Sequence, residues 1–576
     1  MAPAHAAPLL SALLIGAAAA DSPAGQANAA RPTHALLDVD SFESLHLAAW
    51  RIEAPLRPPQ VLLEPEYEWE ADVHSEGTIL IDPFDQLYKA YYVSAPETYP
   101  AGGQTWGRML TIATSTDGEN WTRPMLDLVP YGNASRTNIL LKLGSPTAEL
   151  SQISVFANAT APAGSLERYA MFLLGSQPPQ SFLDSGLGVP ASCAASAHTH
   201  CMYRFESSDG IDWRPGEAID PARTHGSDGS FVYREPDGSL AAYIKASTAS
   251  PPGGLAPYDI GAGGQRMMVM SRSANGSVWG RPYYCSQPDW RDANGDQFVG
   301  LYGSDGPTEG FVGIDGQPVY VGVMGVVHTL AQTIDNQFMI SKQGEDWWRP
   351  DRRPNVPLAP LGEWGGGLIW PFRTLTVDRD VGSDLLSMYF SGTEGIHGDM
   401  YSTQPMEDFA ARNLSEGYGT WGYNDLRLKS GGGGSEQQYY SPVRTSIWFK
   451  GAMMRASWGQ GRLWALVPAS GGRVPATVVS KPLNTTGSST VGPRLVANIV
   501  TYRGGTARAE LINAATGDVI AGFSMEECVP FQGDAPAAQV AWKQTRDPPS
   551  TFPPEVRQVK VRWQLERARL YGFRVL

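Results

Sequence analysis

Two neighbouring stretches decide the fold: IDPFDQLYKAYYV at residues 81–93 and STDGENW at residues 115–121. The first runs from a polar turn into a short apolar strand carrying Tyr88, and the second is a tight Asp-Gly turn closed by Trp121. Asp-Gly between strand-like runs favours a hairpin, because both residues tolerate positive φ. The tyrosine strand returns in APAGSLERYAMFLLG with Tyr169, REPDGSLAAYIKAS with Tyr243, GIDGQPVYVGV with Tyr320 and DRDVGSDLLSMYFSG with Tyr389. Successive tyrosines lie 81, 74, 77 and 69 residues apart. The turn returns in SSDGIDW (Trp213), SRSANGSVW (Trp279) and SKQGEDW (Trp347), and in degenerate form around Trp421. Their fixed phase after the turn marks these tryptophans as packing residues rather than a stacking platform.

A unit of about 70 to 80 residues with an inner strand, a hairpin, a tyrosine strand and a turn-plus-Trp strand fits one four-stranded blade. A β-solenoid repeats at roughly 20 to 30 residues, far below this spacing. The expected fold is therefore all-β: a five-bladed β-propeller over residues 58–428, followed by a β-sandwich domain over residues 440–576. Residues 429–439, Gly/Ser-rich, read as a connector, and residues 21–57 as a lead-in segment. The C-terminal part, with alternating runs such as ATVVSK and VRQVKVRWQLERARLYGFRVL, shows no gathering of acidic residues.

Gly and Pro number 63 and 45 in 576 residues, a turn-rich composition. The net charge of −14 has the wrong sign for a phosphate-binding groove, so no nucleic-acid partner is expected. The apolar run PLLSALLIGAAAA ends at Ala20, too short to span a bilayer; it reads as a signal peptide, residues 1–20, of a secreted protein, with a transit peptide as the alternative. Six sequons, at Asn120, Asn133, Asn158, Asn275, Asn413 and Asn484, fit a glycoprotein. Of four cysteines, Cys193 and Cys201 bracket a short loop and are the expected disulfide. No later stretch is long enough to cross a membrane.

A propeller presents the starts of its inner strands to one axial pocket. Glu76 before Gly77-Thr78-Ile79, Asp228 before Gly229-Ser230-Phe231 and Glu309 before Gly310-Phe311-Val312 occupy that position by pattern, with Glu149 and Gln152 near the start of the second blade. Carboxylates from different blades at one axis suit glycoside hydrolysis, which needs a proton donor of raised pKa and an ionised base or nucleophile. Trp69, His225, Trp370, Arg373 and His397 are candidate substrate-binding residues by position. Asp292-Ala-Asn294-Gly-Asp296 departs from a calcium loop and His198-Thr-His200-Cys201 lacks a second ligand pair, so neither a metal nor a cofactor is expected. Phosphate-loop, metalloprotease and nucleophile-elbow motifs do not occur.

STDGENWTRPMLDLVPYGNASRTNILL (115–141), SKQGEDWWRPDRRPNVPLAPLGEW (341–364) and ELINAATGDVIAGFSMEECVPFQGDAPAAQVAWK (510–543) resemble secreted glycosyl-hydrolase-like proteins. Their five-bladed propeller is similar to those of glycoside hydrolase families 32 and 43 and carries a C-terminal β-sandwich. The resemblance implies a set of two Asp and one Glu, a Trp-Glu pair ahead of the first inner strand, matched by Trp69-Glu70, and an acid near the third, matched by Asp228. An Asp expected in the fifth blade is replaced by Gly365. The expected catalytic set is Glu70, Asp228 and Glu309, with Glu76 as the alternate for Glu70. The expected function is a glycoside hydrolase acting on an oligo- or polysaccharide; the alternative is a carbohydrate-binding propeller without catalysis.

Overall fold

The computed structural model describes residues 34–70, 72–96, 108–142, 150–175, 178–190, 201–219, 229–247, 266–293, 296–328, 331–380, 383–397, 451–459, 461–485, 494–543 and 556–576. The fold is all-β: a five-bladed propeller joined to a β-sandwich. Asp72–Ile81, Leu150–Ala157, Phe231–Arg234, Asp296–Tyr302 and Leu368–Asp380 are the five inner strands, and each packs against the next until the last meets the first. Polar side chains tie the ring together. Thr78 donates to the Ile153 carbonyl (2.7 Å), the Val232 amide to Ser154 Oγ (3.0 Å), Tyr233 to the Leu301 carbonyl (2.9 Å) and Asn336 to the Ile369 carbonyl (2.9 Å). Ser75 closes the circle on the Trp370 carbonyl.

Blades two and three are four-stranded antiparallel meanders, and blade one has an additional strand, Ile139–Lys142, on Met109–Ser115. In blade four a single bridge from Ile340 to Trp348 stands in place of an outer strand. Blade five is completed from both ends of the sequence. Gly451–Gly459 pairs with Ser383–Thr393, and Arg57–Leu63 lines its outer edge. The propeller therefore extends beyond residue 428, where the composition change suggested its end. The connector at 429–439 and Trp421 lie outside the described residues.

The repeated turns are latches between blades. In the first, Ser115 and Asp117 hold the turn by bonding the amides of Gly118 and of Glu119 and Asn120. The Gly118 carbonyl then accepts from Trp121 Nε1 and from Tyr389 of blade five (both 3.1 Å). Tyr91 reaches Gly210 in the same way (3.1 Å), as Tyr243 reaches Gly344 (2.5 Å). Gly118 and Gly210 sit at φ +71° and +76°, and a Cβ at either would press on the incoming tyrosine oxygen. Only glycine meets both conditions. Tyr88, Tyr169 and Tyr320 hold a different position, the first residue of their strands, and donate to Asp378, Asp82 and Glu235 of the preceding blade. The five tyrosines thus mix two structural phases that one strand motif had joined.

The sandwich is organised on Gln558–Val575, which pairs with Leu495–Asn513 along one edge and with Ala476–Ser480 and Trp464–Pro468 on the other. The N-terminal segment is part of this domain: Phe42–His46 pairs with Ala476–Ser480, and Ala48–Ile52 with Trp464–Pro468. His34–Leu36 lies parallel to Phe311–Gly313 of the propeller. One continuous hydrophobic cluster joins Phe338, Val356 and Trp458 of the propeller to Leu463 and Trp464 of the sandwich. Buried Trp464 donates to the Leu37 carbonyl (2.7 Å). Among the described residues no helix is long and apolar enough to cross a membrane.

Candidate functional site at the axial mouth

The first inner strand begins Asp72-Val-His74-Ser-Glu76, so residues at period two fall on one side of it. His74 Nδ1 lies 3.7 Å from an Asp72 oxygen and His74 Nε2 lies 3.6 Å from Glu76. Arg108 forms an ion pair with Glu76, and Gln152 at the start of blade two donates to it at 3.2 Å. The register slips between His74 and Thr78, and Gly77 permits this because a Cβ there would collide with the Tyr91 carbonyl. Trp370, at the start of blade five, packs edge-on against the His74 ring at 5.8 Å. Burial pushes the Asp72 carboxyl up to about 6, while the Glu76 and Asp72 charges outweigh burial and raise His74.

Blade four supplies a second cluster. His328 holds Asp296 Oδ1 on Nδ1 (2.7 Å) and Asp335 Oδ2 on Nε2 (3.0 Å). An ionised carboxylate only accepts, so both ring nitrogens donate and the ring is an imidazolium. These two hydrogen bonds, the largest effects opposing burial, push it up to about 10.

Buried polar atoms without a hydrogen-bond partner occur at the mouth as they do elsewhere in the chain, Trp213 Nε1 and Trp563 Nε1 among them. Asp72 Oδ1, His74 Nδ1, Gln152 Oε1, Gln297 Oε1, Asp335 Oδ1 and Trp370 Nε1 are buried atoms with no hydrogen-bond partner in the structure. They come from the inner-strand starts of four blades and, for Asp335, from Thr333–Ser341, the third strand of blade four. Each costs about 1–3 kcal/mol unless water or a ligand meets it, so a polyhydroxylated molecule with donors and acceptors suits this ring. Among the described residues no group of three or more His, Cys, Asp or Glu is arranged to hold a metal.

The structure brings Glu76, Trp370 and Gln152 to the mouth, places His397 at the mouth end of blade five through Gln332, and separates Glu70, Trp69, Glu309 and Arg373 from them. Glu70 is fully buried behind blade one, bonded to Tyr92, Asn138 (3.0 Å) and Arg123 (2.7 Å); Trp69 beside it stacks on Tyr67 at 4.7 Å and donates to Asn138. These partners make the Trp-Glu pair a packing element of blade one, closed to a sugar. Glu309 is exposed in a turn at the other end of blade four, leading into Phe311–Gly313, which pairs with His34–Leu36. The inner strand of that blade is Asp296–Tyr302, so the Glu-Gly-apolar pattern at 309 does not open an inner strand. Arg373 is buried, bonded to the Val232 carbonyl (2.5 Å) and Asp305 and lying over Phe156 and Tyr233. His397 is buried, its amide on the Gln332 carbonyl (2.7 Å), just beyond Ser383–Thr393. Glu149, Asp228 and His225 lie outside the described residues, as does Cys193; Cys201 is buried, and Cys285 and Cys528 are free and buried.

The sequence reading passed over Asp72, His74, Arg108, His328 and Asp335. The signal for the first two was the alternation Asp-x-His-x-Glu, which was hidden when Glu76-Gly77 was taken as the turn before the strand.

No protein-family model matches the sequence, and no curated protein matches it. Among solved structures the chain is similar to β-fructofuranosidase from Schwanniomyces occidentalis complexed with fructosyl-erythritol, at 11% identity over 91% of this chain and 99% of that one, TM-score 0.38. It is also similar to exo-β-1,3-galactanase from Phanerochaete chrysosporium with galactose, at 9% identity over 89% and 100%, TM-score 0.34. A third, described as a glycoside hydrolase, has 13% identity over 60% and 89%, TM-score 0.37. At such values no residue correspondence follows, and the roles of the mouth residues rest on their own geometry.

Proposed function

We propose that this protein is a glycoside hydrolase acting on an oligo- or polysaccharide at the axial mouth. The observation that supports it is the ladder Asp72–His74–Glu76, set among buried polar atoms that lack partners. Hydrolysis of a glycosidic bond needs a carboxyl that still holds its proton near neutrality and a second that is ionised. Asp72, raised to about 6 by burial, is the proton donor in this reading, and Glu76, ion-paired to Arg108, is the base or nucleophile. Asp228 remains a candidate third carboxylate from blade three. The resemblance to families 32 and 43 agrees with this reading, and with it we propose secretion through residues 1–20, glycosylation and a Cys193–Cys201 bridge.

The alternative, a propeller that binds carbohydrate without cleaving it, draws on one observation. Glu76 is engaged by Arg108 and Gln152, and Asp296 and Asp335 by His328. A screen of the full chain against a polysaccharide panel separates the two. Reducing ends released by wild type and lost in both Asp72→Asn and Glu76→Gln support hydrolysis. Retention of glycans with no turnover supports binding alone, and turnover untouched by either substitution removes the mouth from the mechanism.

A further inference from the structure

We infer that Trp290 is a sugar-stacking subsite on the rim, which holds a neutral glycan chain as it leaves the mouth over the seam between blades three and four. This inference rests on the carbohydrate reading above and extends it, because it makes the preferred substrate a chain rather than a single terminal sugar.

Trp290 is 90% exposed, the most exposed of the large hydrophobic residues described. It lies between Tyr283–Ser286, the outer strand of blade three, and Asp296–Tyr302, the inner strand of blade four. Its loop is fastened at many points. The Asp292 amide donates to the Asp289 carbonyl (3.0 Å), the Asp289 amide to Asp292 Oδ2 (2.6 Å) and the Arg291 amide to Asp289 Oδ1 (2.9 Å). Buried Arg349 grips both Asp292 oxygens (2.7 and 2.6 Å), and Arg352 grips Asp289 (2.6 Å). The loop is also tied to the mouth, since the Ala293 amide donates to Asp296 Oδ2 at 3.1 Å, the carboxylate that carries His328. Trp290 lies six positions before Asp296, so it stands within roughly 20 Å of the mouth.

Holding a large apolar side chain in water on so braced a loop serves pre-organisation: a ligand that stacks there pays little to order it. The choice of ligand follows from size and charge. One indole offers at most about 250 Å², against roughly 800 Å² per partner for a stable protein interface. The loop carboxylates of Asp289 and Asp292 are both ion-paired, to Arg291, Arg349 and Arg352, so neither carboxylate is left to draw a cationic partner and each guanidinium is already engaged by a carboxylate. A neutral pyranose or furanose, with an apolar C–H face and uncharged hydroxyls, matches a single flat ring.

The test measures affinity for inulin, β-1,3-galactan and xylan and for their di- to hexasaccharides, by affinity electrophoresis and calorimetry, with wild type, Trp290→Ala, Trp290→Phe and Asp72→Asn. In wild type, hexasaccharides of at least one series are expected to bind more tightly than disaccharides. Trp290→Ala should remove about tenfold of that gain while leaving disaccharide affinity unchanged, and Trp290→Phe should keep most of it. Equal affinity for short and long chains in wild type, or a gain that survives Trp290→Ala, overturns the subsite. If Trp290→Ala hydrolyses and binds every length as wild type does while Asp72→Asn abolishes turnover, the subsite falls and the proposed function stands. If wild type binds none of these sugars, both fall together.

Discussion

The turns that latch the blades and the mouth where the inner strands begin are built from similar polar residues and treat them in opposite ways. At the latch around Gly118, Ser115, Asp117, Trp121 and Tyr389 all find partners, and the glycine carbonyl serves three donors, Trp121, Tyr389 and Arg455, from two blades. At the mouth, Asp72, Gln152, Gln297, Asp335 and Trp370 each leave a buried atom unpaired. A saturated hydrogen-bond network stabilises the folded chain, whereas an unsaturated one costs stability until something binds. At the mouth the unpaired atoms come from four blades, and that convergence is the ground on which binding is proposed there. The difference also means that substitutions in the two regions should shift stability in opposite directions.

The harshest way to break the contrast is to cut the chain at residue 428. The fragment 31–428 loses Gly451–Gly459, the third strand of blade five, together with Trp464 and the sandwich core. It is expected to lack a cooperative thermal transition, and a soluble fragment melting like the full chain would refute the assignment of that strand. Next in size is Gly210→Ala, which places a Cβ against Tyr91 Oη at φ +76°. Left-handed backbone costs roughly 1–2 kcal/mol and the displaced hydrogen bond about 1, so denaturant unfolding should show a loss of about 3 kcal/mol. An unchanged midpoint would show that the latch contributes nothing.

Asp72→Asn should do the reverse. The raised carboxyl binds its proton more tightly folded than unfolded, so its cost is absent below pH 3.8, grows up to about 6 and is constant above. Removing it should stabilise the protein by about 2 kcal/mol at pH 8 and by nothing at pH 3, allowing for the carboxylate partner that His74 loses. Destabilisation at pH 8 would reclassify Asp72 as a structural residue. The smallest effect sharpens the latch: Tyr243→Phe removes only the bond to the Gly344 carbonyl and should cost about 1 kcal/mol. No loss there would leave ring packing as the whole contribution of that tyrosine.

The architecture was legible because blade packing imposes a period, and Tyr91, Tyr243 and Tyr389 reach the turn of an adjoining blade through one geometry. Strand partners from distant sequence were not legible. Nothing local to Arg57–Leu63 says that it will edge Gly451–Gly459, or that Phe42–His46 will pair with Ala476–Ser480. The mouth was half legible for a related reason. A carboxylate before a glycine looks alike whether the glycine makes a bulge within a strand, as at Gly77, or a turn elsewhere, as at Gly310. Glu70 shows the limit of motif transfer, since its position ahead of the first inner strand was right and its side chain faces Tyr92 and Asn138.

The closure of blade five also sets the order in which the molecule can form. Arg57 is paired with Ser457, four hundred residues later, so the outer edge of blade five is completed by a pairing between distant parts of the sequence. Because closure entropy grows only as the logarithm of loop length, the equilibrium cost of that distance is modest. The kinetic consequence is larger: chains dominated by distant pairings fold slowly. Blades one to four can collapse as they emerge from the ribosome, but Arg57–Leu63 has no partner until Gly451–Gly459 has been synthesised. Until then it is an unpaired edge strand open to wrong pairing, as are Phe42–His46 and Ala48–Ile52 until residues 464–480 have been made.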